Sequence, residues 1–188
     1  MQVNTMSMLS ICMIVKNEEE LIEAALESVK SVADEIIIID TGSSDKSREI
    51  CLNYTDKVYS VRWNKDFSSM RNKGLKRASC DWILYLDADE RLKIRDKVYL
   101  QNLLKEADCD LYSLKVIHLT DTEEEENQYD VSWQNRLFRR DKEYSFDGCI
   151  HEKIVDRNGW VPQAVKAENC IEILHYGYIK KERKKRKE

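Results

Sequence analysis

Three features of the sequence predict an α/β fold with a mostly parallel central sheet flanked by helices. Apolar, β-capable runs alternate with segments of helical periodicity through the first half of the chain. One run, EIIIID from Glu35 to Asp40, is continuously apolar, as strands buried on both faces of a parallel sheet are. Four such runs are each followed within a few residues by a carboxylate, which puts charge at the carboxyl ends of strands, where open α/β sheets hold ligands.

Met8 to Val15 is the first apolar run. From Glu18 the periodicity is helical, with Leu21, Ile22, Ala25, Leu26, Val29 and Val32 on one face. Asn17 stands at the N-cap position with Glu20 three residues later, the pattern of a capping box. After EIIIID the turn TGSSD opens a second helix near Ser44. Val58 to Trp63 gives a third strand, Phe67 to Ala78 a third helix and Trp82 to Leu86 a fourth strand. Strand and helix alternating at this spacing imply right-handed parallel crossovers. Beyond Leu92 the pattern loosens into a helix near Asp96 to Ala107, a strand near Asp110 to Leu119 and shorter β-rich pieces.

At 188 residues the chain is long enough for one domain with a real core, assigned to residues 1–179. Residues 180–188 form a separate basic tail, read as the start of a helix cut short: it carries seven basic and two acidic residues, while the chain as a whole has net charge −4. Such a tail serves either as an arm for an anionic membrane face or nucleic acid or as a solvated helix start. The acidic body lacks the basic, aromatic-studded face of a nucleic-acid binder. Asp121 to Glu126 reads as a solvated loop. The six cysteines are scattered without metal-type spacing, and no leader or membrane-spanning pattern is visible, so a reduced, cytoplasmic protein is expected.

WILYLDADERL, from Trp82 to Leu92, carries the strongest chemical signal. Asp87 and Asp89 flank Ala88 at the tip of an apolar strand, with Glu90 directly after them. Carboxylates so placed suit a hard divalent cation such as Mn²⁺ or Mg²⁺, whose coordination phosphate groups commonly complete; an ordinary acidic corner is the plainer alternative. Lys16, Asn17 and Glu18, then Asp40 to Asp45, then Asp66 gather at the ends of the other strands.

In order along the chain, VKNEE, IIIIDTGSSD, WNKDFSSMRNKGL and ILYLDADE resemble the nucleotide-binding half of a family 2 glycosyltransferase with the GT-A fold. RLFRRDKEYSFDGCIHEKI and ILHYGY are similar to the acceptor side of a bacterial branch that includes lipopolysaccharide-core and peptide or protein glycosyltransferases. The resemblance implies transfer of a sugar, with inversion, from a nucleotide-diphosphate donor that is usually a UDP-sugar. It implies that Asp40 bonds the base, that Asn17 and Glu18 touch base and ribose, and that Asp66 and Arg71 serve the ligand. Arg71 and Asn72 otherwise read as a helix-surface pair. Asp87 would lie near ribose and metal beside Ala88, and Asp89 would ligate the metal directly. His175 is implied as a further metal or diphosphate group, with a hydrogen-bonded core histidine as the alternative; His118 reads as structural. Glu152 is carried over as the catalytic base and Asp147 as its reserve, although the chain lacks the ED pair and following QxxRW element of the family. Trp133, Gln134 and Arg136 hold sugar or acceptor, or else Trp133 is core.

Three other classes share part of this pattern. A DxD phosphatase would carry Thr or Val where Arg91 stands and leaves Asp40 and Asp66 unexplained. A sugar-phosphate nucleotidyltransferase needs a glycine-rich loop where KNEE stands. A catalytically inert sugar-nucleotide-binding domain shares every donor-side feature. The acceptor, whether saccharide, lipid-linked saccharide, peptide or protein, is not readable from these residues.

Overall fold

The computed structural model describes residues 8–120, 129–168 and 171–178. The basic tail, the acidic run Asp121 to Glu126 and Cys170 lie outside the described residues.

The first half builds as expected: β1 (Leu9–Val15), α1 (Ile22–Val29), β2 (Glu35–Asp40), α2 (Ser47–Leu52), β3 (Val58–Ser60), α3 (Phe67–Leu75) and β4 (Trp82–Tyr85). These strands lie in the order β3-β2-β1-β4, all parallel. Residues of β1, β2 and β4 are almost all buried because both sheet faces are covered. Leu9, Ile11, Met13, Ile36, Ile38, Trp82 and Leu84 enter one core against α1, and Cys12, Ile37, Ile83 and Tyr85 enter a second on the other face. Each fully buried aliphatic side chain contributes roughly 1.5–3 kcal/mol, so this double-sided burial anchors the fold.

The second half departs from the sequence reading. β5 (Glu90–Ile94) begins immediately after the DxD residues, and α4 (Lys97–Lys105) follows, capped by Asp96. α4 and β6 (Leu111–Thr120) fall where the sequence places a helix and a strand, but in place of short β pieces a second long strand, β7 (Tyr129–Arg139), pairs antiparallel with β6. β8 (Ser145–Asp147) and β9 (Lys153–Val155) pair with each other; β10 (Val165–Lys166) and β11 (Ile171–Tyr178) join β6. The large sheet runs β3-β2-β1-β4-β7-β6-β11-β5, so its far half mixes antiparallel with parallel pairing. This remains the α/β arrangement expected from the sequence, with a partly antiparallel sheet. Among the described residues no helix is long and apolar enough to cross a membrane.

Asn17 does not cap α1. The helix begins at Ile22, and Leu21 at its N-cap makes no side-chain bond. Asn17 instead takes a left-handed backbone (φ 52°) and accepts a hydrogen bond from Ser44 N at 2.8 Å, which ties the β1–α1 loop to the β2–α2 loop.

Candidate active site

The chain leaves β1 toward β2 on one side, and β4 returns to its other side. A crevice at the carboxyl ends of β1 and β4 is therefore the topological switch point of the parallel half. A cleft of about 360 Å³ opens there, lined by Ile14, Lys16, Glu18, Thr41, Trp63, Phe67, Asp87, Ala88 and Asp89. Trp63 and Phe67 meet edge to face at 4.8 Å between ring centroids, forming an aromatic wall.

Asp40 ends β2, is buried, and accepts from Ser43 N at 3.0 Å, which shapes the loop beside Asn17. Glu18 N donates to Ser47 Oγ at 2.7 Å. Asp66 is the N-cap of α3, where it accepts from Ser69 N at 3.0 Å; part of its polar capacity is thus given to fixing the helix start.

Arg71, on α3, is largely enclosed, with its side chain 9% exposed. Its Nε donates to Glu152 Oε1 at 2.5 Å and its Nη1 to Asp87 Oδ1 at 3.0 Å, so one guanidinium joins the first DxD carboxylate to the GCIHEK segment. Burial works against the charge of Arg71, but the carboxylate of Asp87, with Tyr85 and Glu152, holds it well above the ordinary arginine range. Its neighbour Asn72 is no free surface residue. It donates to Phe146 O at 2.9 Å and accepts from Phe146 N at 2.8 Å, pinning β8 to α3. Ser68 Oγ donates to Gly148 O, and Phe67 N donates to Cys149 O, so the loop carrying Glu152 is seated on the start of α3. Asp147 is exposed on β8, and strand alternation directs it to the face opposite Phe146.

A second arginine lies beneath. Arg136, on β7, is buried and forms a forked pair with Glu90 at 2.7 and 3.1 Å, with Asp87 Oδ2 3.8 Å away. Its guanidinium and that of Arg71 each stand 4.2 Å from the Tyr85 ring centroid. Burial raises Asp87, but Arg71 and Arg136 outweigh it and hold the carboxyl below its ordinary range. Glu90 is pushed up by burial and by Asp87 and Asp89, against the pull of Arg136. Glu90 also accepts from Asp87 N at 2.9 Å, which fixes the turn that presents Asp87, Ala88 and Asp89. Trp133 faces elsewhere: it lies across from Lys115, with the Lys166 ammonium 4.7 Å from its ring.

Asp89 Oδ2 lies 3.4 Å from His175 Nε2, which β11 delivers from the far end of the chain. Burial lowers His175, and the Asp89 contact more than restores it, leaving the imidazole above its ordinary value. Gly177 stands directly over this pair. A Cβ there would come within 2.6 Å of both Asp89 Oδ2 and His175 Nε2, so the missing side chain keeps the space between the two groups open. No group of three or more His, Cys, Asp and Glu side chains suited to a metal exists among the described residues.

The structure therefore gathers Asp87, Ala88, Asp89, His175, Arg71 and Glu152 into one region, with Glu18 lining the same cleft and Asn17 and Asp40 in the loops beside it. Sequence reasoning missed the Glu90–Arg136 pair and Gly177. Both depend on strand pairings between distant segments; the nearest sequence signal was Glu90 directly following the DxD.

The family model described as glycosyl transferase family 2 matches residues 10–158. A TPR repeat-containing protein of Synechococcus elongatus is 34% identical over 178 residues, covering 92% of this chain and 43% of that protein. The SPbeta prophage-derived glycosyltransferase SunS of Bacillus subtilis is 28% identical over 167 residues, covering 88% of this chain and 38% of its own. The chain thus spans less than half the length of these relatives. Among solved structures, S. aureus TarS 1–349 superposes with a TM-score of 0.56 at 14% identity, over 88% of this chain and 60% of that one, which speaks for the fold. With the match over residues 10–158 spanning the β1 to β4 half, the DxD turn and the Glu152 loop, the chain belongs to glycosyl transferase family 2.

Proposed function

We propose that the chain transfers a sugar from a UDP-sugar to an acceptor nucleophile, with inversion at the anomeric carbon and with help from a divalent metal at the DxD residues. The observation that carries this reading is the meeting of Asp89 and His175 at 3.4 Å beside the switch-point cleft, under a glycine whose Cβ would fill the gap.

The donor set fits a hard to borderline cation: the Asp89 carboxylate and His175 imidazole would hold Mn²⁺ or Mg²⁺, with Asp87 adjacent. Beside these side chains, phosphate oxygens of the donor would complete the shell. Bound there, the metal would neutralise the charge that builds on the leaving diphosphate.

The remaining roles belong to the chain's own side chains. Asp40, Asn17 and Glu18 would receive base and ribose, with Asp66 at the base edge and the Trp63–Phe67 wall beside it. Arg71 keeps Asp87 in place and orients Glu152 through Oε1, leaving Oε2 to take the acceptor proton as the nucleophile attacks opposite the departing phosphate. Asp147 is the reserve base. Saccharide, lipid-linked saccharide, peptide and protein acceptors share the required hydroxyl or thiol chemistry. A cytoplasmic setting, with peripheral membrane contact through the basic 180–188 segment and no nucleic-acid partner, completes the proposal.

The test is UDP release from UDP-glucose, UDP-N-acetylglucosamine and UDP-galactose with a panel of such acceptors. Glu152→Gln is expected to lower transfer by roughly 10²–10⁴-fold while donor binding persists. Unchanged transfer would move the base role to Asp147. Donor binding without turnover on any acceptor would favour a catalytically inert sugar-nucleotide-binding domain.

A further inference from the structure

Behind His175 a row of side chains continues across three strands. His118 on β6 is the direct partner of His175 on β11 in the parallel pairing. Their Nδ1 atoms lie 2.9 Å apart, with the rings at 87°. His118 Nε2 in turn lies 2.9 Å from Ser132 Oγ on β7, and Gln134 Nε2 donates to that oxygen at 3.1 Å. All four side chains project from the sheet face that also carries Leu114 and Val116 into the core.

Two nitrogens at hydrogen-bond distance require one donor and one acceptor, so the tautomers of the two rings are tied together. While His175 Nε2–H faces Asp89, its Nδ1 accepts from His118 Nδ1–H, and His118 Nε2 accepts the Ser132 hydroxyl. When His175 offers its Nε2 lone pair to a cation, its proton must sit on Nδ1. His118 Nδ1 then accepts, and His118 Nε2–H donates to Ser132 Oγ. The neutral pair keeps two ring protons in both settings, and the hydroxyl, which can donate or accept, serves either.

We propose that His118, backed by Ser132, is a positioning residue that accepts the Nδ1–H of His175 and so presents the His175 Nε2 lone pair beside Asp89 to a divalent cation. This rests on the metal reading above and deepens it. A metal-ligating histidine is oriented by what its other ring nitrogen bonds, and loss of that partner commonly weakens metal binding by roughly 10–100-fold. Here the partner is a second histidine, whose donor or acceptor role adapts to the state of the site.

Two measurements test it. In ¹⁵N-histidine-labelled protein with Mg²⁺ and UDP, His118 is expected to show a bare Nδ1 and a protonated Nε2; a protonated Nδ1 in that state would overturn the proposal. Calorimetric titration of Mn²⁺ in the presence of UDP should show His118→Phe weakened roughly 10–100-fold, with partial recovery in His118→Asn, whose amide oxygen can accept. Should the phenylalanine variant not fold, Ser132→Ala is expected to weaken Mn²⁺ severalfold. Wild-type affinity in the His118 and Ser132 variants, alongside loss in Asp89→Asn, overturns the role of His118 alone. Wild-type affinity in Asp89→Asn overturns the metal site and this role with it.

Discussion

Arg71 and Glu152, eighty-one positions apart in sequence, are joined by a 2.5 Å contact between Nε and Oε1, while the same guanidinium holds Asp87. That contact brings the GCIHEK loop, from the second half of the chain, to the edge of a donor site built by the first. Removing Arg71 would leave two carboxylates facing each other around a buried void. Arg71→Ala is expected to cost roughly 3–5 kcal/mol of stability, toward the low end because Asp87 keeps 35% side-chain exposure. Arg71→Lys should recover little, since an ammonium cannot fork between two acids. Urea unfolding of the two variants checks both expectations.

The Gly177 position makes a sharper test of the space beside Asp89. Gly177→Ala puts a methyl group within 2.6 Å of Asp89 Oδ2 and His175 Nε2. Mn²⁺-dependent donor binding should fall while the fold survives with a loss of about 1–3 kcal/mol, the usual range for overpacking. A variant that keeps full metal-dependent binding would show that the gap is not used.

Acid sensitivity should trace to the opposite end of the sheet. Glu35 is buried and accepts from Ser10 Oγ, Lys57 Nζ and Ser79 N. Burial raises its carboxyl, but Lys57, Ser10 and Ser79 together bring it from the ordinary 4.5 down to about 2. A depressed folded-state value means that the stabilisation is present above the ordinary value and is lost as pH falls through about 2. Unfolding free energy is expected to drop by on the order of 3 kcal/mol across that window, and Glu35→Gln should flatten the slope. Denaturant titrations at stepped pH would show either result.

The Glu90–Arg136 pair yields a prediction about the DxD turn. Glu90 both receives the forked Arg136 and accepts from Asp87 N. Arg136→Ala strands a buried carboxylate and is expected to destabilise by roughly 3–5 kcal/mol. Arg136→Met, which removes the charge but keeps volume, leaves the same orphan. Replacing both partners, as Glu90→Gln with Arg136→Met, should recover stability relative to either arginine variant, measured by thermal unfolding.

The parallel half was legible because its signals are local. Ile36 to Ile39 are apolar without a break because both sheet faces are covered, Asp40 and the DxD residues follow β2 and β4 directly, and Asp66 stands in the loop after β3 that opens α3. In the far half only α4 and β6 were legible. In β5 the run ERLKI alternates charge with apolar residues, and its buried side chains Glu90 and Leu92 include an acid, so it does not look like a strand. β7 carries Ser132, Gln134 and Arg136 on its inward face because these bond one another, His118 and Glu90 rather than pack as hydrocarbon. His118 carries no chemical signal in its apolar stretch, and its partner appears only once β6 and β11 are set in register. The Asn17 capping box failed because the Ser44 amide competes for the asparagine oxygen.

The most direct test of the donor site is calorimetric titration of UDP and GDP, with and without Mn²⁺, into the wild-type chain and Asp89→Asn. UDP binding that needs Mn²⁺, exceeds GDP binding and collapses by on the order of a hundredfold in Asp89→Asn is the predicted result. Binding of UDP that is indifferent to Mn²⁺ and to Asp89, or no nucleotide binding at all, would contradict it.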